Sequence, residues 1–293
     1  MISYHRPADL AAALAVKARY ADDDRALTVL AGGTDVYPAK TTRAGWGEMT
    51  HADVLDITAI SSLRGITQSA DGWHLGALTT WTDVIRSSLP ALFNGLKQAS
   101  RDVGGVQIQN RGTIVGNVCN ASPAADGVPC LLALNAIVEI ASTRGTRRMP
   151  LAEFITGNRR TALAPDEIVT GVAIPHAAGS GLFVKLGARK YLVISIAMVA
   201  GVLDLSANGV VRSARIAIGS CSAVARRQPA LETFLTGRDL TALRPDAITP
   251  DMLTGLTPIA DSRASAEFRR QAAIDLTRDL LAASSHSLER SAA

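Results

Sequence analysis

Aromatic residues are scarce in this 293-residue chain, at 4% of the total. A nucleic-acid binder interleaves aromatics with a clustered basic stripe, whereas the arginines here are scattered and alternate with acids. The formal charge of +4 therefore reads as solubility and attraction for an anionic ligand, not as a nucleic-acid footprint. Cysteine is nearly absent: only Cys119, Cys130 and Cys221 occur, and their number and spacing fit neither a disulfide framework nor a zinc site. Three thiols also cannot supply the four ligands of an iron–sulfur cluster, so they read as reduced and mostly buried. No apolar run reaches the length of a membrane span, the longest being about ten residues over 193–202. The first residues, MISYHRPADL, lack the charged-then-apolar order of a signal peptide, and the expected compartment is the cytoplasm.

Familiar site motifs are missing as well. His5, His51, His74, His176 and His286 are dispersed without metal-ligand spacing. No G-x-G-x-x-G opens a helix, and no Gly-Lys-Ser/Thr completes a P-loop. Ser122-Pro123 lacks the G-x-S-x-G context of a nucleophile and reads as a turn.

What is present is an ordinary globular composition, 47% hydrophobic and 19% charged, in a chain long enough for two domains. PADLAAALAVKAR predicts a helix, ALTVLAGG a strand stopped by two glycines, and ADVLDIT a second strand. WHLGALTTWTDVIRS couples a strand to a helix opening at Thr80 or Thr82, and LFNGLKQASRDVG is helical. LLALNAIVEIAS turns from helix to strand at Asn135, and EIVTGVAIP is a strand ending at Pro175. Small residues from His176 to Gly181 mark a flexible linker. Beyond it, Asn208-Gly209 signals a hairpin between two apolar strands. ALETFLTGR and SAEFRRQAAIDLTRDLLAAS are helical, and the tail SHSLERSAA reads as loose. The mixed order gives an α+β protein divided near residue 177.

Two segments carry chemistry. LAGGTDVY, residues 30–37, is a strand ending in Gly32-Gly33, whose backbone N–H groups can form an anion-binding nest suited to phosphate. RGTIVGN, residues 111–117, places Thr113, Gly116 and Asn117 at a second turn with further donors. Two such loops suit a pyrophosphate, which carries charge on both sides.

LAGGTDVY, then TIVGNVCNASPAADGVPCLLALNA about eighty residues on, then FVKLGARK and RIAIGSCSAVARR together resemble the FAD-binding medium subunits of the molybdenum hydroxylases. Xanthine dehydrogenase and carbon monoxide dehydrogenase belong to that family. The resemblance covers essentially the whole chain. It implies a two-lobed FAD-binding domain of the vanillyl-alcohol oxidase (PCMH) type over 1–177, with lobes of about 1–55 and 56–177. A small α+β domain of the CO dehydrogenase flavoprotein C-terminal type follows over 178–285, before a loose tail at 286–293.

The family pattern implies that Leu30, Ala31, Gly32, Gly33, Thr34, Asp35, Val36 and Tyr37 hold the pyrophosphate of a non-covalent FAD from one side. Thr113, Ile114, Val115, Gly116 and Asn117 hold it from the other. Asp126 matches an aspartate near the ribityl and phosphate region, and Lys185 a cation at the pyrimidine edge of the ring. Val103 and Ile174 match positions that flank the ring. Val115 departs from the pattern, which has two adjacent glycines before the asparagine. A β-branched residue disfavours positive φ, so an extended backbone and a reduced or shifted N–H contact are expected there. His51 and Cys119 are the positions at which flavin could be attached covalently, as in some oxidases of the wider fold.

The function implied is an electron-exit subunit. A molybdopterin-binding large subunit hydroxylates the substrate, a small subunit with two [2Fe–2S] clusters carries electrons, and this chain passes them to NAD or another acceptor. The expected assembly is a dimer of three-subunit units, and AGGTD tilts the substrate toward xanthine or related heterocycles. Two other readings stay open: a stand-alone small flavin oxidoreductase of the same fold, and a nucleotide-binding assembly module without redox chemistry.

Overall fold

The computed structural model describes residues 3–39 and 52–292, with the backbone alone from 286 onward. The chain opens with a three-stranded parallel sheet in the order β1-β3-β2, formed by β1 (Tyr4–His5), β2 (Leu27–Leu30) and β3 (Asp53–Asp56). Helix α1 (Leu10–Asp22) connects the first two strands. It starts where Asp9 accepts a bond from the Ala12 N–H, and it buries Ala13, Leu14 and Tyr20. β2 must end at Leu30, because Gly33 takes a φ of 75° that a strand cannot hold.

A five-stranded sheet follows in the order β4-β5-β10-β6-β7, from β4 (Ile66–Ser69), β5 (Gly72–Gly76), β6 (Ile137–Ser142), β7 (Gly145–Pro150) and β10 (Ile168–Pro175). After β5, Thr80 caps helix α2 (Trp81–Arg86) with a reciprocal bond to Asp83, the first of the two predicted starts. Helix α3 (Asn94–Asp102) and the single turn α4 (Val106–Gln109) lead to α5 (Ile114–Asn120) and α6 (Gly127–Ala133). The predicted helix-to-strand change at Asn135 is seen in its left-handed φ of 53°. A further turn, α7 (Leu151–Phe154), precedes the hairpin of β8 (Ile155–Gly157) and β9 (Arg160–Thr161).

The third sheet is antiparallel, β11-β12-β13-β14, built from β11 (Ser180–Leu186), β12 (Ala197–Leu205), β13 (Val211–Gly219) and β14 (Arg226–Arg227). The Asn208-Gly209 hairpin is present, with Gly209 at a φ of 80°. β12 explains the long apolar run in the sequence: Met198, Ala200 and Val202 join the core of the first part, while Ala197, Val199 and Leu203 join a second core. That second core is completed by α8 (Pro229–Leu235) and α9 (Ala266–Ala292).

Two expectations fail. The segment from His176 to Gly181 is less of a linker than its small residues suggest, because Gly181 already lies in β11. A side chain there would meet the Leu92 carbonyl at 2.5 Å, so glycine serves close packing and not flexibility. The tail is not loose backbone either: α9 continues to Ala292, since no glycine or proline interrupts AASSHSLERSA.

Candidate flavin site

The two glycine segments meet. A Cβ at Gly32 would lie 1.9 Å from the Arg111 carbonyl oxygen, so the backbone of the first loop runs against that of the second. The second segment is fixed by β5 and α2: Ile114 N–H donates to Thr79 O at 3.0 Å, and Trp81 N–H donates to Gly112 O at 3.2 Å. The Trp81 ring is buried between two glycines. An added Cβ would approach its atoms to 3.2 Å at Gly112 and to 2.6 Å at Gly127. One aromatic thereby spaces the entry to α5 from the start of α6.

The second segment is a helix start, not the turn expected. Thr113 is the N-cap of α5 and accepts from the Gly116 N–H at 3.0 Å. Val115 is accordingly helical, with its side chain in the core, and not extended. The concern over positive φ falls away, because a helical position suits a β-branched residue well enough. Ile114 is likewise core. The Asn117 side-chain oxygen is buried without a hydrogen-bond partner among the described residues.

α5 ends at Ala121, whose φ is 48°, and the first loop is tied to this end by a side chain the sequence left unassigned. Arg159 Nη1 donates to Asp35 Oδ2 at 3.0 Å and to Asn120 Oδ1 at 2.6 Å, while its backbone N–H donates to Ala121 O at 2.9 Å. Beside the junction, a pocket of about 230 Å³ is lined by Ala31, Gly32 and Thr113, with Arg6, Arg64 and Arg111 also on its wall. Three guanidiniums there favour an anionic guest.

Asp126 and Lys185 come from different parts of the chain and form an ion pair, Nζ to Oδ2, at 2.8 Å. Both are buried, Asp126 at 7% exposure and the Lys185 side chain at 6%. Lys185 also donates to Asp102 O at 3.1 Å. Burial pushes the Asp126 carboxyl up, and the Lys185 charge works against that shift. The second Asp126 oxygen accepts from Ser195 Oγ at 2.6 Å, a contact that no sequence motif announced.

The remaining candidates divide. Val103, half-buried, directly follows the Asp102 that Lys185 contacts. Leu30 is buried, whereas Tyr37 is exposed, in the helical turn that follows the loop. Ile174 is a core residue of β10 paired with Trp73 of β5, with almost no surface to offer a ring. Cys119 is exposed on α5, while Cys130 and Cys221 are buried free thiols. His51 lies outside the described residues.

Residues 1–177 match the family model of the FAD binding domain in molybdopterin dehydrogenase, and residues 183–284 match that of the CO dehydrogenase flavoprotein C-terminal domain. The chain belongs to this family of FAD-binding subunits. It is 34% identical over 253 residues to the nicotinate dehydrogenase FAD-subunit of Eubacterium barkeri, covering 83% of each chain. To the xanthine dehydrogenase FAD-binding subunit of Escherichia coli O157:H7 it is 33% identical over 277 residues, 91% of this chain and 90% of the other. Among solved structures, the carbon monoxide dehydrogenase of Oligotropha carboxidovorans superposes with a TM-score of 0.87 at 26% identity, covering 98% of both chains. The quinoline 2-oxidoreductase of Pseudomonas putida 86 does so at 0.86 with 25% identity, again over 98% of both.

The residues of this chain fit FAD. The Gly32 cradle leaves no room for a side chain, the adjoining pocket is basic, and the buried Asn117 oxygen lacks a partner. Among the described residues no group of three or more His, Cys, Asp or Glu could hold a metal ion, and no helix is long and apolar enough to cross a membrane. The molybdenum and iron–sulfur centres of these enzymes belong to other subunits.

Proposed function

We propose that this flavin subunit collects electrons from [2Fe–2S] clusters of a partner subunit and passes them to NAD or another acceptor. The observation that carries the reading is the junction of the Gly32 loop with the entry to α5, whose Asn117 lies against Gly127 beside the Asp126–Lys185 pair. The loop of residues 30–37 and the Thr113–Asn117 start of α5 would flank the FAD pyrophosphate from two sides, with Arg111 on the wall of the adjoining pocket to balance its charge. Lys185, held by Asp126 and the Asp102 carbonyl, would meet the pyrimidine edge of the bound ring, and Val103 would flank it. When bound, FAD accepts electrons singly and delivers them in pairs, which suits a step between one-electron clusters and a hydride acceptor. A fixed ammonium favours negative charge on the nearby ring, and Asp126 keeps that ammonium in place.

The acceptor reading is supported by a second pocket, of about 340 Å³, between residues 122–124 and the C-terminal part. Ser195, Ser220 and Arg269 line it, and the buried Ser220 Oγ and Arg269 Nε make no hydrogen bond among the described residues. Such a lining offers unsatisfied polar groups to part of an acceptor. The domain limits proposed are 1–177 and 178–285. A tag on this chain should retrieve, from its native host, a molybdenum-containing assembly with iron–sulfur absorption and FAD, whose reduced flavin is reoxidised on adding NAD or a quinone. Retrieval of a flavin-bearing chain without iron or molybdenum would refute the subunit role.

A further inference from the structure

Ser195 lines the second pocket, and its hydroxyl also contacts the carboxylate on which the flavin assignment depends. Asp126 stands at the start of α6, Lys185 lies on β11, and Ser195 precedes β12. The Asp126 carboxylate is thus gripped at both oxygens by side chains from the C-terminal part, Lys185 on Oδ2 at 2.8 Å and Ser195 on Oδ1 at 2.6 Å. Ser195 is 2% exposed and its backbone is held rigidly. The adjacent Ile196 donates its N–H to Leu186 O at 2.7 Å and accepts from Arg269 Nη1 at 2.5 Å.

A buried carboxylate needs donors on both oxygens to remain charged, and an ammonium alone does not fix its plane, because Lys binds as a rotating point charge. The other groups that act on Asp126 do not help: the Asp102 charge opposes its ionisation, and the buried Cys130 thiol bonds only the backbone carbonyl. We propose that Ser195 is a positioning residue, holding Asp126 across the boundary between the two cores so that the Asp126–Lys185 pair stands fixed and charged beside the flavin. The setting beside the flavin rests on the reading above; the grip on Asp126 does not.

The test is the titration of the Asp126 carboxyl, followed by carbon NMR in the full chain and assigned by its loss in Asp126→Asn. In Ser195→Ala the Asp126 midpoint is expected to rise by about one to two pH units, since a hydrogen bond to the charged form is lost. Ser195→Thr, which keeps the hydroxyl, is expected to restore it. With FAD bound, the pH dependence of the flavin midpoint potential should shift with the same sign in Ser195→Ala, and the shift should vanish in Ser195→Ala combined with Asp126→Asn. An unchanged carboxyl titration in a folded Ser195→Ala chain would overturn the proposal, as would a potential shift that persists in the double variant. If the unsubstituted chain took up no FAD, the flavin reading would fall while the carboxyl titration still decided the role of Ser195.

Discussion

A methyl group at Gly32 would occupy the space of the Arg111 carbonyl, so Gly32→Ala must separate the two loops that form the pyrophosphate cleft. The expected outcome is a chain with native circular dichroism that takes up no FAD; uptake at the unsubstituted level would show that the cleft is elsewhere. Cys119 is the cysteine with open surface. Labelling of Cys119 should therefore precede that of the buried Cys130 and Cys221. The thiolate is the reactive form, so the rate should climb with pH. The order of labelling is read by mass spectrometry of a thiol-reactive tag. At this scale the glycines, Thr113 and Asn117 stand out from local motifs, whereas Asp126 and Lys185 are picked out only by the family resemblance. Ser195 and Arg159 were not, since their partners lie 69 and 124 residues away and a lone serine or arginine in a sequence carries no trace of them.

At the level of elements, α5 is the instructive case. TIVGNVC was read as a turn because of its glycine, yet a Thr followed by apolar residues at 114, 115 and 118 is also a capped helix start, with those side chains buried. The helix is seven residues long, too short for periodicity to outweigh a glycine. Its dependence on the cap is measurable: Thr113→Ala should cost about 1 kcal/mol of stability in denaturant unfolding. No change would mean that packing of Ile114, Val115 and Val118 holds α5 without the cap. Other elements followed from pattern alone. The helix opening at Thr80, one of the two starts expected, the Asn208-Gly209 hairpin and the strand ending at Pro175 all match the sequence pattern. The extent of α9 did not, because a polar alanine- and serine-rich segment is compatible with both helix and loose tail until it is attached to a packed helix.

For the whole molecule, the division into two cores follows from β12, whose alternate faces serve different partners. That arrangement brings Lys185 and Ser195 to Asp126, so the site is completed only when both parts of the chain pack together. The order of four sequence motifs indicated the family, but the register of this contact required the folded structure. The central claim is that this cleft binds FAD without a covalent link, and the most direct test is absorption spectroscopy of the purified full chain during titration with FAD. The account predicts uptake of one flavin per chain, with the bound absorption bands displaced from those of free FAD and the whole of the flavin released on denaturation. A folded chain that leaves the FAD spectrum unchanged, or one that retains the flavin after denaturation, would contradict it.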